Sequence, residues 1–155
     1  MHSRRRAACC RVLASREVID VILLPQIPEL ELLGVADRGV PNRERVVLRS
    51  HGHVQMGGYA LFLGIRSHAP GFALPVRDSM FWLGDGPVRP DDWVIVFTGS
   101  GTPSNTQMPD APGKIYLLYW GRPTTIFHDP QVVTMLLRLG GVSVEVPPTP
   151  LPAPQ

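Results

Sequence analysis

The segment 93–120 constrains this chain most. Two strongly apolar runs, Trp93-Val-Ile-Val-Phe97 and Ile115-Tyr-Leu-Leu-Tyr-Trp120, flank a stretch, 98–113, that is rich in Gly, Pro, Ser and Asn. β-Branched and aromatic residues bounded by turn formers read as strands. Each run is apolar on both alternating faces, with Trp93, Ile95 and Phe97 on one and Val94 and Val96 on the other. Both are therefore expected at the centre of the core of a β-rich domain.

A chain of 155 residues suits one ordinary domain, and 44 % hydrophobic against 18 % charged residues excludes a disordered one. The formal charge of +2 conceals an asymmetry: Arg4, Arg5, Arg6, Arg11 and Arg16 precede position 17 with no acid among them. Residues 17–155 are left with 10 basic and 13 acidic side chains, a net −3. A body of that sign has no general attraction for nucleic acid or an anionic membrane. The aromatics that could stack on bases, Tyr59, Phe62, Tyr116 and Tyr119, with Arg45, Arg49 and Arg66 nearby, lie in apolar strands where packing is the default role. Adjacent Cys9 and Cys10 supply no cross-linked framework, which points to a reduced, cytoplasmic setting. Arg11 cuts the N-terminal apolar run too short for a secretory signal, and residues 18–24 fall far below the ~20 needed to span a bilayer. No membrane association is expected.

The organisation reads as a basic tail at 1–16, a connector at 17–42 able to contribute an edge strand, one β-rich domain at 43–146 and a proline-rich tail at 147–155. Residues 18–24 suit a strand that Pro25 and Pro28 end. The spacing of 45–49 and 59–65 suggests a hairpin, and Pro75 confines 72–76 to a sheet edge. Asp129 as N-cap, Pro130 at the first helical position, Val132, Val133, Leu136 and Leu137 on one face and Gly140 as terminator predict one helix near 130–139. Val142-Ser-Val-Glu-Val146 alternates strictly, as a half-exposed strand does. The expected fold is α+β and β-dominated: an antiparallel sheet curled into a barrel or sandwich, with the C-terminal helix over one opening.

No cofactor signature is present. Thr98-Gly-Ser-Gly-Thr-Pro-Ser104 follows a strand, but it lacks the third glycine, the Lys and the helix N-terminus on which phosphate-cradling loops depend. His51 and His53 have an acceptable spacing for two metal ligands, with His128, His68, Asp78, Asp85 or Asp129 needed to complete a set. Neither a Cys nor a Glu cluster supports them, and no metal is expected. Ser100, His128 and Asp129 supply the ingredients of a nucleophilic triad without the Gly-x-Ser-x-Gly elbow.

Loop 98–113 carries more weight, because connections in compact domains are mostly about 4–6 residues long and much longer ones are often functional. Ser100, Thr102, Asn105 and Gln107 offer neutral hydrogen-bonding groups, Met108 an adaptable apolar contact and Asp110 the loop's only charge. The leading expectation is a non-enzymatic binding or assembly module that meets a protein partner or a second copy of itself through this loop. The alternative is a hydrolase, metal-dependent through His51, His53 and His128 or centred on Ser100.

Overall fold

A computed structural model describes residues 26–68 and 73–145. The expected tails, the strand at 18–24, Val146 and both cysteines lie outside the described residues. Strand formation begins with alternation: in Arg45-Val-Val-Leu-Arg-Ser50, the side chains of Val46, Leu48 and Ser50 are buried while those between them are half-buried. That is the two-residue period of a strand with one face on a core. Among the described residues ten strands form: β1 (Leu30–Ala36), β2 (Arg45–Ser50), β3 (Val54–Gln55), β4 (Tyr59–Arg66), β5 (Ala73–Trp82), β6 (Pro87–Val88), β7 (Trp93–Phe97), β8 (Ser104–Gln107), β9 (Lys114–Tyr119) and β10 (Val132–Arg138).

They make a five-stranded sheet in the order β1-β2-β7-β9-β8, a three-stranded sheet β10-β4-β5 and a short pair β3-β6. All pairings are antiparallel except β7 with β9, which run parallel. One core joins the sheets: Leu30, Val46, Leu48, Val94 and Val96 come from the first, Tyr59, Leu61 and Leu63 from the second, and Val54, Val88 and Phe127 close its ends. Phe81 and Trp120 meet across the two sheets with ring centroids 5.3 Å apart. The described residues are β-dominated, and among them no closed barrel forms, since β1, β5, β8 and β10 each end a sheet.

Several expectations are corrected. The helix near 130–139 is strand β10, which pairs with β4 from Val132↔Ile65 to Arg138↔Tyr59. Val132, Val133 and Thr134 are β-branched and resist helical packing, while Asp129 accepts the Gln131 amide at 2.8 Å and so shapes a turn in place of a helix cap. Segments 45–49 and 59–65 do not form a hairpin but belong to different sheets. Residues 142–145 make no strand, and Val142 and Val144 are largely exposed.

Nor are both faces of β7 enclosed. Val94 and Val96 are fully buried, whereas Trp93, Ile95 and Phe97 are half-buried on the outer face. There the guanidinium groups of Arg49 and Arg45 lie 5.7 Å and 6.0 Å from the rings of Trp93 and Phe97. Arginine stems and cation–π contact cover in part what a second layer would otherwise cover.

Candidate functional site

The 98–113 segment is not a structureless loop. It leaves β7, crosses the outer face of β9, forms β8 and returns as a hairpin into β9. Two glycines make the path feasible. A Cβ on Gly101 would stand 2.3 Å from the ring of Tyr119, and one on Gly113 would stand 2.2 Å from the backbone oxygen of Asp91. Gln107 locks the turn, its amide nitrogen donating to the carbonyls of Pro112 at 3.0 Å and Gly113 at 2.9 Å. Asp92 anchors the strand that follows, accepting the Lys114 amide at 2.7 Å.

β8 ends the five-stranded sheet, and all four of its residues are exposed. The Met108 amide donates to Gly113 at 3.0 Å. Because hydrogen-bonded and non-hydrogen-bonded pairs alternate in an antiparallel ladder, Thr106 and Ser104 turn their main-chain groups toward β9. The amides and carbonyls of Asn105 and Gln107 therefore point off the open edge. This edge also lacks the usual guards. β1 carries a register shift between Leu32 and Gly34, β5 carries Pro75 and an irregular register, and β10 ends in Arg138 with Arg38 donating to its Val132 carbonyl, whereas β8 pairs in unbroken register and holds neither proline nor charge. Unguarded edges are templates for another strand.

A second feature adjoins the start of the segment. Pro41, Asn42, Thr98, Gly99, Arg122, Pro123, Thr124 and Thr125 line an open cleft of about 280 Å³. Its walls are built on Glu44, which is 1 % exposed. The Glu44 carboxylate accepts the amides of Gly39 and Ile126 at 2.7 Å and of Phe127 at 2.9 Å, tying two loops together. Its own carbonyl takes the Thr98 amide at 3.1 Å, so the third wall is held as well.

The other predicted residues do not assemble. Ser100, His128 and Asp129 share no hydrogen bond among the described residues; His128 Nδ1 faces the Thr125 carbonyl at 3.3 Å. His51 Nε2 meets Glu31 at 2.6 Å, His53 is exposed, and among the described residues no three of His, Cys, Asp and Glu gather as a metal set would. Ser100 and Thr102 are exposed on the crossover, and Met108 packs beside Gly113. Tyr59 and Tyr116 pack in or against the core and Tyr119 stacks on Phe97, so the aromatics form no single platform for bases.

Titration follows the same structural bonds. Burial, aided by its bond to Glu29, pushes the Tyr59 hydroxyl up to about 12. Glu29 is held below its usual value chiefly by that same bond, and Asp37 chiefly by Arg45. Asn42, Glu44, Arg122, Thr124 and Thr125 escape sequence reasoning, because nothing near Glu44 in Pro41-Asn-Arg-Glu-Arg45 distinguishes a buried carboxylate from a solvated one. No family model matches the chain, and neither the curated proteins nor the solved structures yield a relative. Among the described residues no helix is long and apolar enough to cross a membrane.

Proposed function

We propose that this protein is a binding module that captures an extended segment of a partner protein by adding it as a strand alongside β8. The observation carrying this reading is the open, uncharged edge of β8, with the main-chain groups of Asn105 and Gln107 pointing outward. Main-chain hydrogen bonds would give affinity, and the neighbouring side chains selectivity. Those neighbours are Ser104, Asn105, Thr106 and Gln107, so the preferred segment is neutral and rich in hydroxyl-bearing or β-branched residues.

Asn105→Pro tests this. Proline on an edge whose N–H faces solvent leaves the ladder to β9 intact, yet removes the outward donor. Peptides selected from a displayed library against the native chain should shift the amide resonances of residues 104–107 and bind the variant at least tenfold more weakly. Selected peptides that shift other residues, or that bind the variant equally well, would exclude the reading.

A second reading, self-association, rests on a separate observation. The outer face of the three-stranded sheet carries Phe62, Met80, Trp82, Val133, Met135 and Leu137, and Met80 and Trp82 are each 54 % exposed. Sedimentation of native protein and of Met80→Lys compares the two states, and a dimer abolished by the lysine supports this second use.

A further inference from the structure

We propose that the cleft bounded by Asn42, Thr98 and Arg122–Thr125 is a second site, one that receives the oxyanion group of a ligand, either a carboxylate or a phosphate. The proposal is independent of β8. Three properties carry it: the sign of the lining, its free donors and the rigidity of its walls.

Arg122 is the only charged side chain among the lining residues, and no carboxylate competes with a ligand for it. Its guanidinium is oriented before any ligand arrives. One terminal nitrogen donates to the Asp78 carbonyl at 3.0 Å, and the group lies 5.6 Å from the centre of the Trp120 ring. Among the described residues its remaining N–H groups make no hydrogen bond, and a planar donor held this way suits an oxyanion better than a flexible ammonium does.

The other donors are similarly uncommitted. Asn42, Thr124 and Thr125 all line the cleft, and among the described residues their side-chain amide and hydroxyls make no hydrogen bond. Asn42 is held in the left-handed region at φ 61°, a conformation Asn tolerates better than most residues.

The walls are braced from behind. Glu44 joins the loops on two sides, the Gly121 amide donates to the Gly99 carbonyl at 3.0 Å, and the Arg122 amide donates to the Thr98 carbonyl at 2.8 Å. Little ordering therefore remains to oppose binding. At about 280 Å³ the cleft lies just below the usual range for whole-ligand pockets. It fits a small anion, or the anionic end of something larger such as the C-terminus of a peptide.

The test is an amide-resonance titration of the full chain at constant ionic strength with sodium acetate, sodium phosphate, and a tetrapeptide carrying either a free or an amidated C-terminus. Saturable shifts confined to the amides of Asn42, Thr98, Gly99, Gly121, Arg122, Thr124 and Thr125 are expected from at least one anion. Arg122→Gln should weaken binding at least tenfold, and Thr124→Val, at an exposed position, should weaken it severalfold without disturbing the fold. Tighter binding of the free-ended peptide than of its amide and of acetate would identify a chain terminus as the source; equal or tighter binding of acetate or phosphate would identify a free small anion. Shifts that never saturate, that fall elsewhere, or that survive both substitutions unchanged would overturn the proposal.

Discussion

Glu44 shows how one buried side chain can organise a whole end of the molecule. Its carboxylate serves three amides in two separate loops, so Glu44→Ala leaves three donors without a partner. A buried unsatisfied group costs about 1–3 kcal/mol; the Phe127 amide is buried and the other two are part-buried, so we expect a loss of at least ~1 kcal/mol in urea unfolding. Glu44→Gln keeps the volume but turns an acceptor toward N–H groups as a donor, and should recover only part of that loss. Glycines divide in a comparable way. Gly101→Ala presses on the Tyr119 ring, which can shift, whereas Gly113→Ala meets the Asp91 main chain, which cannot. The second should destabilise more in the same assay. The titrating groups set the pH range. Glu29 and Asp37 are depressed below 4.5 and 3.8, so their contribution is full above those values and is lost as pH falls through the folded-state values. Tyr59 is raised, so its contribution is full below pH 10 and is lost as pH climbs toward about 12. Tyr59→Phe should remove that alkaline component, as read by unfolding at pH 9 and pH 11.5.

Among the elements, β5 shows how a strand tolerates an irregularity. Between Pro75 and Met80 its register against β4 shifts, and Ser79 fills the gap: its hydroxyl takes the Leu63 amide at 3.3 Å and donates to the Val76 carbonyl. Ser79→Ala should cost about 1–3 kcal/mol, the cost of leaving the buried Leu63 amide without a partner. The cores of β2, β4, β7 and β9 were legible from runs such as Arg45-Val-Val-Leu-Arg49 and Trp93-Val-Ile-Val-Phe97, because alternation and β-branching are local properties. Pairing is not local. Nothing in residues 45–65 distinguishes a hairpin from two strands in opposite sheets, and nothing between 97 and 115 shows that the chain crosses β9 before turning back beside it. The run 132–138 satisfies a helical spacing and a strand equally well, and the contact with β4 decides between them. Asn105 and Gln107 were legible as neutral polar residues within 98–113, but their outward main chain depends on a register seen only in three dimensions.

At the scale of the whole molecule, the strands packed around one core leave three exposed features on which the proposed binding rests: an open edge, an apolar face and a cleft with braced walls. The edge and the cleft adjoin the same crossover, which links Thr98 in the cleft wall to Ser104 at the start of β8. The stability of this end should therefore depend on Glu44 even though the edge lies beyond it. The most direct test of the central claim is amide hydrogen exchange of the native chain, with and without a saturating peptide selected for binding. The amides of Asn105 and Gln107 should exchange fast in the free protein and become protected in the complex, while Thr106 is protected in both. Unchanged exchange at Asn105 and Gln107 in a saturated complex would contradict strand addition at β8.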